Sequence, residues 1–140
     1  MTSPPRPVPL PLLHRFLGIG LVMTAAVLFF VRSVGAAPLV GTGAPLVAYA
    51  ASGGALVQFA VAFLVFKPRV PQRPMGESVE QYWSTPQVVA KILPVWFLME
   101  GAGIIAAVGY FLTGEPVSAL VAGLAIVAFW LTGPNVFGSA

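Results

Sequence analysis

A stretch of 22 residues without a charged side chain, residues 45–66, constrains the fold of this chain more than any other feature. As an α-helix it would extend about 33 Å, which matches the hydrocarbon thickness of a bilayer. The whole chain supports this interpretation, because 58% of its 140 residues are hydrophobic and only 8% are charged. In a soluble domain about a quarter of the residues are charged. The sequence therefore predicts an all-α integral membrane protein.

Three further apolar segments complete a predicted bundle of four transmembrane helices, which forms one domain over residues 16–140. We predict the helices at residues 16–34, 45–66, 86–112 and 117–134. The third begins at Thr85-Pro86, because a hydroxyl residue caps helices and proline is favoured at the first helical position. Residues 67–85 form a polar loop, within which residues 77–83 predict a short turn.

The first 15 residues predict a proline-rich arm outside the bundle. Five prolines between positions 4 and 11 remove backbone donors and fix φ, which favours an extended segment. The apolar residues 16–31 precede small residues at positions 34–37, a pattern that also occurs in cleaved signal peptides. This apolar run is longer than the usual signal core of about 7–15 residues, which favours a retained helix.

The distribution of basic residues predicts the orientation of the bundle. Cytoplasmic segments of membrane proteins carry an excess of Lys and Arg. With the N-terminus in the cytoplasm, six of the seven basic residues lie on the cytoplasmic side and only Arg32 lies outside. We therefore expect a multi-pass protein of the cell (inner) membrane, with both termini and the loop 67–85 in the cytoplasm.

The first and third predicted helices share a spaced pattern that suggests a duplicated hairpin. Phe-Leu, Gly, Ala-Ala-Val and Phe recur at one constant offset, so that Phe16 corresponds to Phe97 and Gly20 to Gly101. Two related helical hairpins would be arranged around an axis along the membrane normal. The alternative is coincidence, because these residue types are frequent in membrane helices.

Glu100 is the one acidic residue within the apolar part of a predicted helix. It follows Ile92 by eight residues, about 12 Å of helix rise. Gln58 and Thr24 lie equally far from the cytoplasmic ends of the second and first helices. These three residues predict a polar layer, and Trp96, one turn before Glu100, is a candidate hydrogen-bond donor to it. Three interpretations of this carboxylate remain open: it bonds polar groups of neighbouring helices, it handles protons or cations, or it contacts a cofactor, lipid or substrate.

Residues 97–105, Phe-Leu-Met-Glu-Gly-Ala-Gly-Ile-Ile, resemble the acid-bearing helix of rotor-ring proteolipids, the c-type subunits of rotary ATPases. The resemblance implies that Glu100 is an ion-carrying carboxylate and that Gln58 is a co-ligand. In that family the acid lies on the second helix of a hairpin, whereas Glu100 lies on the first helix of the second pair. The short polar loop of the family is replaced here by residues 67–85. The sequence therefore assigns the chain to no known family.

Three aromatic residues, Tyr82, Trp83 and Trp130, are predicted to anchor the bundle at the membrane–water boundary, where such side chains are enriched. His14 and Arg15 are expected to meet lipid headgroups. The chain has no cysteine and one histidine, so we predict no metal site and no cofactor. The basic residues are scattered along the chain, which predicts no nucleic-acid binding.

The residue inventory does not predict an enzyme, because it offers no acid–base pair, no activated nucleophile and no Gly-rich phosphate loop. The leading hypothesis is a small accessory or structural subunit of a larger membrane complex, such as a respiratory, photosynthetic or transport assembly. Such a subunit would pack laterally in the lipid bilayer with other membrane subunits, as a hetero- or homo-oligomer. The alternative is a proton- or cation-handling protein (a channel, a transporter or a rotor-ring-like subunit) that uses Glu100.

Overall fold

The computed structural model describes residues 9–35 and 37–134, and the regular secondary structure of these ranges is entirely helical. Five α-helices follow one another along the chain. They are α1 (Leu10–Ser33), α2 (Ala44–Val61), α3 (Val79–Ser84), α4 (Pro86–Thr113) and α5 (Pro116–Leu131). The π-helix Ala62–Phe66 and the 3₁₀ turn Lys67–Arg69 extend α2. The predicted all-α class is confirmed.

Three of these helical segments are long and apolar enough to cross a membrane: Leu10–Ser33, Ala44–Arg69 and Pro86–Thr113. The most apolar 18-residue stretches of these segments have mean hydropathies of 2.0, 1.7 and 1.8. The fourth apolar helix, α5, has 16 residues and ends at Leu131, short of the predicted end at residue 134. At about 1.5 Å per residue it rises about 24 Å, less than a typical hydrocarbon core. The three candidate spans indicate a multi-pass membrane protein.

The first helix begins at Leu10, earlier than the predicted start at residue 16. The prediction of an extended arm is therefore wrong for residues 10–15. Pro9 precedes the helix as its N-cap residue, and residues 1–8 of the arm lie outside the described ranges. Pro11 causes no break, because it lies in the first turn of α1. Backbone N–H groups of a first turn have no intrahelical acceptor, so a proline costs no hydrogen bond there.

The polar connection between α2 and α4 contains the short turn predicted at residues 77–83. It appears as the six-residue helix α3, whose N-cap residue Ser78 accepts a hydrogen bond from the backbone N–H of Gln81 at 3.2 Å. Helix α4 then begins at Pro86 as predicted, after the N-cap residue Thr85. Its other end is closed by Gly114, whose φ of 74° is a conformation that glycine adopts without strain.

Helix α4 is the centre of the bundle and packs against α1, α2 and α5. Helices α4 and α5 are in close contact, whereas α1 and α2 barely touch. Two equivalent hairpins would show the same packing between α1 and α2 as between α4 and α5. The arrangement of the helices therefore contradicts a symmetric pair of hairpins, although seven matching residues, in four groups, relate α1 to α4 in the sequence.

Small residues allow the close packing of α4 with its neighbours. A Cβ at Gly109 would lie 2.7 Å from the Cβ of Ala51 on α2, and one at Gly103 would lie 2.7 Å from Cδ1 of Leu21 on α1. Both distances are below the normal van der Waals separation of about 3.5–4.0 Å between carbon atoms. Gly123, in contrast, has no neighbouring atom within 4 Å of such a Cβ among the described residues.

Candidate functional site

An open groove runs along α4 between α1 and α2, because those two helices scarcely contact each other. We define it by the α4 residues Phe97, Glu100, Gly101, Ile104 and Val108, with Gly20 on the α1 wall and Gln58 on the α2 wall. Phe97 is 53% exposed and Val108 is 37% exposed, although both lie on the central helix of the bundle. The described residues of the neighbouring helices therefore leave this face of α4 partly uncovered.

Glu100 lies on the side of the groove that faces α1. One of its carboxylate oxygens is 3.9 Å from the position that a Cβ at Gly20 would take. The side chain is only partly buried. Within residues 9–35 and 37–134 it has no hydrogen-bond or ion-pair partner. The structure thus places an unpaired acid at the middle of a candidate membrane span.

Gln58 lies on the opposite side of the groove. Its Oε1 atom would be 3.1 Å from a Cβ at Gly101, so the missing side chain at position 101 gives the amide room. Positions 100 and 101 point about 100° apart on α4, and Phe97 and Ile104 occupy the arc between them. Gln58 and Glu100 consequently flank the same open arc, but no hydrogen bond joins them in the described structure.

Thr24, the third residue of the predicted polar layer, lies one turn after Gly20 on α1 and is partly buried. Its side chain forms no hydrogen bond among the described residues. Because Glu100 approaches Gly20, the carboxylate meets α1 about one turn (roughly 6 Å) from the level of Thr24. The structure therefore brings Glu100 and Gln58 to one groove, whereas Thr24 lies about one turn further along α1.

Trp96 does not donate to Glu100, which corrects the expectation from helical spacing. Its side chain is fully buried, and its Nε1–H donates to the backbone carbonyl of Thr132 at 3.0 Å. The last carbonyls of α5 have no intrahelical donor, and burial makes an unpaired carbonyl costly. Trp96 satisfies one of these carbonyls and is therefore a structural residue of the α4–α5 contact.

His14 is likewise inside the protein, so the expectation that it meets headgroups is wrong. It is 2% exposed, and its ring is stacked on Phe129 with centroids 4.5 Å apart. Its Nε2 atom lies 3.1 Å from the carbonyl oxygen of Phe129. Because a carbonyl only accepts, Nε2 carries the hydrogen and donates.

The sequence contains a signal for the buried position of His14. His14, Gly18, Leu21 and Ala25 follow one another at intervals of three or four residues, which places them on one helix face. Starting the predicted helix at residue 16 excluded His14 from that face.

Two of the three predicted interface anchors are buried against protein. Tyr82 is 2% exposed and Trp83 is 4% exposed, so neither side chain presents its ring to headgroups. The hydroxyl of Tyr82 donates to the carbonyl of Pro71, and burial raises the pKa of Tyr82. The Nε1–H of Trp83 has no acceptor in the described part of the chain. Trp130 is 44% exposed, and its role as an anchor stays a prediction.

The groove offers hydrogen-bonding and acid–base chemistry from one carboxyl and one amide. Across the described residues, no group of three or more His, Cys, Asp or Glu side chains is placed to hold a metal ion. The expectations about cofactors and catalysis stay predictions. In comparisons with known proteins, no family model, no curated protein and no solved structure matches this chain.

Proposed function

We propose that this protein is a multi-pass subunit of a larger membrane complex and that a transmembrane helix of another subunit packs into the open groove. One observation carries the proposal. An acid, Glu100, and an amide, Gln58, lie on the two sides of that groove, and neither has a hydrogen-bond partner among the described residues. Exposure of such groups to hydrocarbon is unfavourable by several kcal/mol in model transfers. A helix that fills the groove removes this cost, because it supplies hydrogen-bonding partners.

The exposure of the outer helices supports the same proposal. In the most apolar 18-residue windows of α1 and of Ala44–Arg69, only 17% of the residues are buried, compared with 50% for α4. Large apolar side chains cover these outer surfaces, which suits lateral contact with lipid and with other membrane subunits. A respiratory, photosynthetic or transport assembly is the class of complex that we propose.

The proposed topology has four spans, with α5 as the fourth, and both termini in the cytoplasm. Three basic residues, Lys67, Arg69 and Arg73, lie in the connection between α2 and α3. Excess Lys and Arg favour the cytoplasmic side. Arg15 and Lys91, each five residues after the first residue of its helix, belong to the same end of the bundle in this topology.

Purification of the tagged full-length chain in a mild detergent tests the proposal. We expect stoichiometric membrane subunits to co-purify with the wild-type protein and to be lost from the variant Glu100→Leu. The matched control is Leu120→Ala, because Leu120 is 69% exposed on α5 and lies outside the groove. A stable, monodisperse monomer that retains no other subunit would contradict the proposal. Retention that is equal in all three proteins would show that the groove is not the docking site.

The second candidate function is proton or cation handling by Glu100. The observation that favours it is that the carboxyl is partly open to the groove instead of being sealed within the bundle. In reconstituted vesicles, this function requires ion flux that Glu100→Gln abolishes and Leu120→Ala retains. Equal flux in the wild type and Glu100→Gln would refute it. Carbodiimide labelling of Glu100 that decreases at high pH is the corresponding chemical test.

A further inference from the structure

We infer that the helix that fills the open groove carries a basic side chain, Lys or Arg, at the level of Glu100. The inference rests on the proposed function and specifies the chemistry of the partner. It makes Glu100 one half of an ion pair between two subunits within the membrane. Gln58, on the other wall, then hydrogen-bonds to polar groups of the same partner helix.

The space beside Glu100 is suited to a long basic side chain. Gly20 faces the carboxylate, and in the described structure a carboxylate oxygen of Glu100 is the one atom of a neighbouring residue within 4 Å of a Cβ at Gly20. The absence of a side chain there leaves an opening along α1 that leads to the acid. Lys and Arg have flexible apolar stems that lie along such surfaces while the charged end reaches its partner.

The described residues of this chain do not supply the cation. Lys91 precedes Glu100 by nine residues on α4, a rise of about 13.5 Å. Arg15 precedes Gly20 by five residues on α1, which places it about 140° around that helix from the groove wall. No ion pair to Glu100 is present among the described residues. The described part of the chain therefore leaves the charge of an ionised Glu100 unbalanced, and we assign the balancing charge to another molecule.

The basic residues on α1 and α4 of a second copy do not provide this cation either. If two copies have the same orientation in the membrane, each residue of one copy lies beside residues of the other copy at the same membrane depth. The basic residues of α1 and α4 lie near helix ends, with Arg15 and Lys91 five residues from the first residue of their helices and Arg32 at the second-last residue of α1. None of them lies at the depth of Glu100. The inferred partner is accordingly a different protein.

Binding to designed transmembrane peptides tests the inference directly. The probes are three leucine-rich helices of about 20 residues, with Lys, Gln or Leu at the central position. Each carries a fluorophore and is reconstituted with the labelled full-length protein in phosphatidylcholine vesicles, where energy transfer reports association. We expect the Lys peptide to bind at least about tenfold more tightly than the Leu peptide, the ratio typical of one charge-assisted hydrogen bond.

Two variants determine whether Glu100 causes this preference. Glu100→Gln is expected to remove the preference for the Lys peptide and to leave binding of the Leu peptide unchanged, while Leu120→Ala retains both. Circular dichroism of Glu100→Gln verifies that the variant is folded. A Lys preference that survives Glu100→Gln, or equal binding of the Gln and Lys peptides, overturns the inference. A natural partner that co-purifies through the groove without a basic residue inside its span also overturns it, while the proposed function stands.

Discussion

Gly109→Ala is expected to destabilise the bundle by separating α4 from α2. A Cβ at position 109 would lie 2.7 Å from the Cβ of Ala51 and 3.2 Å from the Oγ of Ser118. Carbon atoms pack at about 3.5–4.0 Å, so the helices must move apart by about 1 Å. The Cβ of Ala51 is fixed by the backbone and cannot rotate away. Such overpacking costs about 1–3 kcal/mol.

Two further terms set the size of the effect. Alanine has a better helix propensity than glycine by about 0.8–1.0 kcal/mol, which partly offsets the overpacking. In addition, the contact between the hydroxyls of Ser52 and Ser118, 3.2 Å apart, lies beside position 109 and would be stretched. A weakened hydrogen bond adds about 0.5–1.5 kcal/mol. We therefore expect a net loss of about 0.5–3.7 kcal/mol in the free energy of unfolding.

Titration with sodium dodecyl sulfate in mixed micelles, followed by tryptophan fluorescence, measures this loss. The matched control is Gly54→Ala on α2, because a Cβ there meets no described atom within 4 Å and the new methyl group only improves helix propensity. Gly103→Ala should give a smaller loss, since its 2.7 Å contact is with the flexible end of Leu21. If Gly109→Ala is as stable as the wild type, or if Gly54→Ala is equally destabilised, the packing argument is refuted.

Three further predictions concern hydrogen bonding, pH and backbone strain. Trp96→Phe should lower the unfolding free energy by about 1–3 kcal/mol more than Trp83→Phe, because only the Trp96 indole has an acceptor in the described structure; detergent titration of both variants measures the difference. Burial raises the pKa of Tyr82 in the folded protein. The stability that this residue contributes is therefore complete below its unfolded-state pKa of about 10, and it is lost as the pH rises through its folded-state pKa. Wild-type stability should consequently fall above about pH 10, and Tyr82→Phe should remove that fall in unfolding titrations at several pH values. Gly114→Ala should lower the free energy of unfolding more than Gly76→Ala. Both glycines have positive φ, but only Gly114 has described side-chain atoms next to its Cβ position. Equal losses of stability in the two variants would leave backbone strain as the sole cause.

The helices were largely predictable from the sequence, because hydropathy and capping residues act locally. The start of α4 at Pro86 follows from the hydroxyl and proline signals at positions 85 and 86, and its end differs from the prediction by one residue. The start of α1 was not predicted, since proline excludes a helix interior but is compatible with a first turn. The number of prolines in a segment does not show whether a given proline lies in the interior of a helix or in its first turn.

The candidate site was only partly predictable, because depth along a helix does not specify rotation about its axis. Counting residues from the helix ends placed Glu100 and Gln58 at similar levels, and the structure brings both to the groove. The same arithmetic does not reveal that Trp96 faces the end of α5 and satisfies a carbonyl there. That contact depends on which helices are neighbours, and spacing within a single helix contains no information about it.

The two sides of α4 differ in a way that bears on what fills the groove. Small residues on one side, among them Gly103 and Gly109, are already in contact with side chains of α1, α2 and α5. The open side also presents small positions, Gly20 on its α1 wall and Gly101 on its floor, which lie beside the carboxyl and the amide. Glycine beside a polar group favours a second helix over a lipid chain, because backbone approach shortens the hydrogen bonds that the polar groups need. A lipid chain forms no hydrogen bonds with the carboxyl or the amide and needs no close approach to the glycines. The combination of small residues and polar groups therefore favours a protein helix in the groove.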